Sequence, residues 1–251
     1  MAYYKVIFSP TGGTRKAADI LAENIGSEWT EVDLSQPIGR MVWKTEDVCI
    51  VAVPSFGGRV PGIAVERLKQ ISGNGSRAIL LCVYGNRAYE DTLSELQDVL
   101  EEAGFCPIAA EAALDEHSIK HQFAAGRPDA EDNAELVGFA EKMKGRLAEE
   151  AVRLQPLPGS HHTYKEYKGS TFKPEADNTC SACGLCAASC PVGAIAKENP
   201  GQTDAERCIS CMRCIAVCPK QARKLNGEMV QAASQKMEKV CFGRKRNELF
   251  F

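Results

Sequence analysis

Eight cysteines fall in two matching runs. The first is Cys180, Cys183, Cys186 and Cys190, followed by Pro191. The second is Cys208, Cys211, Cys214 and Cys218, followed by Pro219. Each run reads C-x2-C-x2-C-x3-C-P, and the second starts 28 residues after the first. Thiolates are soft ligands that select zinc or iron–sulfur clusters. The opening MAYYKVIFSPTGGT has no basic stretch followed by an apolar one, and no run of about 18 apolar residues occurs anywhere. A cytoplasmic chain without membrane attachment is therefore expected. In a reducing compartment its 12 cysteines are metal ligands or thiols rather than disulfides. Zinc sites use paired C-x2-C steps but have no need of a third step and a trailing C-P. The C-x3-C-x2-C spacing of radical-initiating clusters is also missing.

The doubled run resembles that of the bacterial two-cluster ferredoxins. The resemblance implies two 4Fe-4S clusters, each held by three cysteines of one run and the last cysteine of the other. Cluster I would take Cys180, Cys183, Cys186 and Cys218. Cluster II would take Cys208, Cys211, Cys214 and Cys190. Such fully ligated clusters pass single electrons and bind no substrate. Cys49, Cys82 and Cys106 sit in apolar runs and read as buried thiols; Cys241 has no assigned role.

A second set of residues lies in the first half of the chain. Ser9-Pro-Thr11-Gly12-Gly13-Thr14 sits between a β-branched run and a helical pattern. It lacks the G-K-[ST] of a P-loop and the spacing of a dinucleotide loop. Hydroxyls and glycines at a helix N-terminus still form an anion cradle. The loop resembles the FMN phosphate loop of flavodoxins, T-x-T-G-N-T, with Gly13 in place of the asparagine. The resemblance implies two further flavin loops. One is Pro54, Ser55, Phe56, Gly57 and Gly58, whose peptides would meet the flavin N5 edge. The other is Tyr84, Gly85, Asn86, Arg87 and Tyr89. A third loop, Asp115–Asp132, places His117, Ser118 and Arg127 at the same sheet edge, for loop capping or for contact with a substrate or the cysteine domain.

The elements that must position these residues follow from periodicity. Tyr3–Ser9, Trp29–Leu34, Val48–Pro54, Arg77–Gly85 and Phe105–Leu114 read as strands. The continuous apolar character of the central runs suits strands buried on both faces. Thr14–Ile25, Ile63–Ile71, Tyr89–Ala103 and Ala130–Ala151 read as helices. This alternation predicts an α/β doubly wound, five-stranded parallel sheet, for which the flavodoxin resemblance implies order 2-1-3-4-5 with ligands at the carboxyl ends of its strands. The expected units are a flavodoxin-like domain at 1–152, a tether at 153–177, a small α+β ferredoxin domain at 178–231 and a tail at 232–251. In the tether, Tyr164, Tyr167 and Phe172 are candidates to pack along a domain surface. The tail predicts a helix around Lys236–Cys241 and a solvated basic Gly-Arg-Lys-Arg segment.

Charge divides the same way. Residues 1–150 carry 15 Lys+Arg against 24 Asp+Glu, net −9; residues 151–251 carry 15 against 9, net +6. Opposite potentials favour contact within the chain or in a homodimer. As a whole the chain resembles the flavodoxin–ferredoxin fusion proteins of anaerobes. That implies electron transfer between two 4Fe-4S clusters and FMN, coupling one- and two-electron chemistry, with redox partner proteins as donor or acceptor. The alternative is a flavin-dependent reductase of a small organic substrate, its pocket lined by Arg87, Tyr89, His117 and Ser118. No nicotinamide fingerprint and no nucleic-acid motif is present.

Overall fold

The apolar runs become the centre of a sheet in the computed structural model, which describes residues 1–26, 28–150 and 153–251. The expected helix end at Ala151 and the domain boundary at 152 lie outside the described residues. The first half runs β1 (Tyr3–Ile7), α1 (Gly13–Ile25), β2 (Trp29–Asp33), β3 (Met41–Val42), β4 (Val48–Pro54), α2 (Gly62–Leu68), β5 (Ile71–Ser72), β6 (Arg77–Tyr84), α3 (Thr92–Glu102), β7 (Cys106–Leu114) and α4 (Ala130–Leu147). The second half runs β8 (Glu175–Ala176), α5 (Leu185–Ala188), α6 (Arg213–Ala216), β9 (Arg223–Lys224), α7 (Gly227–Met237) and β10 (Glu248–Phe250).

Among the described residues the main sheet has six strands in the order β10-β7-β6-β4-β1-β2. Its five long strands are parallel, with β1 between β2 and β4. Renumbered among themselves they give the expected 2-1-3-4-5, with the switch point between β1 and β4. Alternating side chains fill two cores. Val6, Val51, Leu80 and Cys82 face a layer containing Leu68 of α2 and Leu93, Leu96 and Leu100 of α3. Ile7, Ile50, Ile79 and Leu81 face Leu21 of α1 and Leu136, Ala140 and Met143 of α4. Cys49 and Cys82 are wholly buried and burial pushes both thiols up; Cys106, at the strand start, is only half-buried. Glu111 in β7 is wholly buried with both carboxylate oxygens unpartnered, and burial raises its pKa.

The cysteine domain is a repeat with an offset of 28 residues. Short helices α5 and α6 start after Gly184 and Met212, both in the left-handed region at φ 73° and 61°. β8 and β9 pair antiparallel and close the ends.

Two expectations need correction. The basic segment is exposed at Gly243, Arg244 and Arg246 as expected, but the tail around it is folded: helix α7 starts at Gly227, across the expected boundary at 231, and β10 adds antiparallel to β7, with Leu249 opposite Glu111. Without it β7 would expose a row of unpaired backbone groups. Arg244 binds Asp129 at 2.6 and 3.0 Å, and buried Asn247 accepts from Leu114 N at 2.8 Å. The stretch expected as a tether also packs at its start, ahead of the aromatic residues named for that role. Leu154 and Leu157 enter the core beside α3, and Leu157 N donates to Gln97 at 3.0 Å.

Candidate functional site

The loops at the carboxyl ends of β1, β4, β6 and β7 meet one cavity of about 430 Å³, within the range of ligand pockets. Thr11 and Thr14 reach it from the first loop. Ser9 does not: it is buried, and its Oγ accepts Arg15 N at 2.9 Å, which pins the loop onto α1. Gly12 and Gly13 line an adjoining cleft of about 960 Å³. Gly12 caps α1 at φ 103°. A Cβ on Gly13 would lie 1.6 Å from Asp115 Oδ2. The Asp115 carboxyl therefore occupies the place a side chain there would need, which accounts for the glycine where flavodoxins have asparagine. Burial pushes Asp115 up to about 6, against the pull of nearby Lys16.

The second loop turns tightly. Phe56 and Arg59 exchange backbone hydrogen bonds at 2.9 and 3.3 Å across Gly57 and Gly58, at φ 62° and 89°. Two successive positive φ values suit a primed hairpin turn that favours glycine. The loop is fixed to α3: Arg59 pairs with Glu95 through two bonds of 2.7 and 2.6 Å, and Ser55 bonds Thr92 at 2.8 Å. Pro54, Ser55, Phe56 and Gly57 line the cavity, whereas Gly58 does not.

From the third loop Tyr84, Gly85 and Arg87 line the cavity. Asn86 and Tyr89 are turned to the tail. The Asn86 amide donates to Cys241 O and Gly243 O at 2.7 and 2.9 Å, and Tyr89 OH donates to Glu248 at 3.1 Å. Both were expected at the ligand; here neither lines the cavity, and the returning tail supplies the partners their polar groups need. His117 and Ser118 do line the cavity. His117 Nδ1 accepts from Ile119 N and Lys120 N at 3.2 and 3.4 Å, and burial holds the ring down at about 4. It is a neutral imidazole with its proton on Nε2. Arg127 lies elsewhere, buried against Asp132 and Lys245 O, and acts as a loop cap.

Residues outside these loops complete the cavity, and no flavin-loop motif announces them. Tyr167, Ser170 and Phe172 come from the segment between the two halves, and Ile209, Ser210 and Cys211 come from the second cysteine run. The aromatic content of the tether is the one sequence signal that points to Tyr167 and Phe172. Hydroxyls and backbone at a helix N-terminus beside a half-apolar pocket fit a phosphate joined to a flat ring, as FMN requires.

The eight motif cysteines surround two further cavities. One is lined by Cys180, Cys183, Cys186 and Cys218, the other by Cys190, Cys208, Cys211 and Cys214. None forms a disulfide. Among the described residues no three metal-binding side chains converge on a single ion. Four thiols spread around each cavity fit a multi-iron cluster. Backbone N–H groups point at the sulfurs in matching pairs: Ala182 and Ser210 donate to Cys180 and Cys208, each at 3.4 Å, and Ala194 and Ala222 to Cys190 and Cys218 at 3.2 and 3.3 Å. Arg223, wholly buried, binds Pro200 O and Pro174 O at 2.5 and 2.8 Å with Cys186 Sγ 3.8 Å away.

Residues 179–222 match the 4Fe-4S dicluster domain family. The chain is 38% identical over 72 residues to pyruvate synthase subunit PorD of Methanothermobacter marburgensis, covering 28% of this chain and 86% of that protein. It is 37% identical over 80 residues to one of the subunits of an ion-translocating oxidoreductase complex of Methanosarcina acetivorans, covering 32% of this chain and only 28% of that protein's length. Among solved structures, a flavodoxin of Streptococcus pneumoniae TIGR4 superposes on 58% of this chain and 99% of its own, at 21% identity and TM-score 0.42. Flavodoxin 1 of Bacillus cereus covers 57% and 96%, at 18% identity and TM-score 0.42. Strand order, rather than these superpositions, carries the fold.

Proposed function

We propose that this chain, whose C-terminal part belongs to the 4Fe-4S dicluster family and whose first half has the strand order of a flavodoxin-like sheet, is a flavodoxin–ferredoxin fusion that carries electrons between two 4Fe-4S clusters and a bound FMN. One observation supports the coupling above the others: Cys211 lines both the cavity of the second cysteine set and the 430 Å³ cavity of the flavodoxin-like loops. A ligand of cluster II would thus adjoin the flavin with no intervening domain movement.

When bound, FMN would supply a centre that takes one or two electrons, and the clusters would supply single-electron steps. In this reading Thr11 and Thr14, with the Gly12 and Gly13 amides, hold the phosphate. Phe56, Gly57, Tyr84, Gly85 and Arg87 surround the ring. Neutral His117 offers an N–H without adding charge. Cys180, Cys183, Cys186 and Cys218 hold cluster I, and Cys208, Cys211, Cys214 and Cys190 hold cluster II. Cys183 is exposed, and so is Leu185 at 44%. Cluster I is therefore the outer station, where a redox partner protein docks, and cluster II the inner one. No described helix is long and apolar enough to cross a membrane. Eight thiols kept as cluster ligands suit a reducing compartment, and we place this exchange in the cytoplasm.

A reductase reading has its own support. The 960 Å³ cleft shares Thr11, Asp115, Ser118 and Ile119 with the flavin cavity and has room for a small organic acceptor. One experiment tests both readings: an anaerobic redox titration followed by absorbance, with iron and flavin quantified on the same sample. The proposal expects FMN and about eight irons per chain. Absence of flavin, or far less iron, overturns it. Flavin reduction in single-electron steps favours the carrier; direct two-electron reduction favours the reductase.

A further inference from the structure

The segment between the two halves is built as a strap. Its first part is fastened to α3 and the loop before it. Ser160 N and Lys165 N donate to the two oxygens of Asp91 at 2.9 and 2.6 Å. His161 and Tyr164 bond the two oxygens of Asp98 at 2.6 and 2.7 Å. Arg59, already locked to Glu95, donates to Lys165 O at 2.7 Å. Its far part is fastened to the second cysteine run. Ser210 Oγ donates to Ser170 O at 3.4 Å, and Lys173 Nζ donates to Cys208 O at 2.5 Å.

Tyr167 sits between these two sets of anchors. Its ring lies against Gly57, where an added Cβ would fall 2.5 Å from Tyr167 Cδ2. Gly57 is thus constrained twice, by its left-handed backbone and by the ring above it. Tyr167 lines the 430 Å³ cavity, yet 38% of it is still exposed. An aromatic ring held over a cavity by fixed backbone on either side, and covered on one side only, is placed to receive a second flat ring. Stacking of that kind needs only the ring face and makes no demand on the hydroxyl.

We infer that Tyr167 is a flavin-binding residue supplied by the interdomain strap, so that the flavin site is completed only by chain lying outside the flavodoxin-like fold. This rests on the reading of the cavity as an FMN site and adds to it a wall that flavodoxin loops do not provide. The strap also joins the flavin cavity to the loop of Cys208, so binding the ring and fixing cluster II become one structural event.

The test uses the full chain, reconstituted anaerobically with its clusters and titrated with FMN by quenching of flavin fluorescence. Tyr167→Phe should bind FMN within about threefold of the wild type. Tyr167→Ala should weaken it by about tenfold or more, as expected for loss of an aromatic stacking face, with iron content unchanged. Wild-type affinity in Tyr167→Ala with intact clusters overturns the inference and leaves the FMN reading standing. A wild type that binds no FMN overturns both. If Tyr167→Ala loses its iron, the unaltered chain decides: FMN should slow tryptic cleavage after Lys165 and Lys168, and cleavage unaffected by FMN overturns the inference.

Discussion

Asp115 lies against the turn proposed to hold the flavin phosphate, and burial sets its titration near pH 6. The sign of its effect follows from charge. Below pH 6 the carboxyl is neutral and tolerates a phosphate beside it; above, it is an anion facing an anion, only partly offset by Lys16. FMN affinity should therefore fall as pH rises from 5 to 7, on the order of tenfold per unit of pKa displacement. Asp115→Asn should abolish most of that slope. The phosphate itself titrates near pH 6, so riboflavin is the control and should bind with no such dependence. A slope that survives in Asp115→Asn would assign the effect to the phosphate and not to the carboxyl.

At the scale of elements, β10 and the two cysteine runs carry the consequences. Asn247 holds β10 in place: its buried amide bonds Leu114 N, Asp132 and Glu135 at 2.8, 3.1 and 2.7 Å. Asn247→Ala leaves the buried Leu114 N–H without its partner and removes a donor each from Asp132 and Glu135, and should cost about 2–3 kcal/mol in urea unfolding. A loss under about 0.5 kcal/mol would mean the tail is not part of the folding unit. In the proposed ligation the cysteine runs exchange their last ligand, which the place of Cys190 at the cavity of Cys208, Cys211 and Cys214 supports. Cys190→Ser should then alter the same EPR signal as Cys208→Ser. Matching Cys180→Ser instead would show two self-contained clusters.

Across the whole molecule, the acidic half and the basic half do attract, but through the connecting segments. The strap presents His161 and Lys165 to Asp98 and Glu90, and the tail presents Arg244 to Asp129 and Asp132. The exposed pairs among these are worth little alone; together with the pairs to buried Asp98 and Asp132, the β10 ladder and the buried Leu154 and Leu157 they tether the cysteine domain at both of its ends. A domain so held keeps Cys211 at the 430 Å³ cavity instead of swinging toward it, and leaves Cys183 of the first run exposed, as the proposed docking of a partner protein there requires.

The sequence by itself determined what is local. Three cysteines in seven residues must share one loop, a Gly/Thr turn between strand and helix must present its amides outward, and unbroken apolar runs must be strands buried on both faces. Those constraints act over a few residues and leave a visible period, so the parallel sheet and the doubled cysteine runs were legible, while the strand order and the pairing of the cysteines came from family resemblance. Tertiary structure decided the rest. Asn86 and Tyr89 carry the composition of ring-binding residues, yet they serve a tail more than 150 residues away. Tyr167 has the look of a tether residue and lines the pocket. Gly13 departs from its expected asparagine because Asp115, a hundred residues on, fills that space. Contacts made across such separations have no periodicity to betray them: hydrogen-bond partners and free volume exist only once the chain is folded.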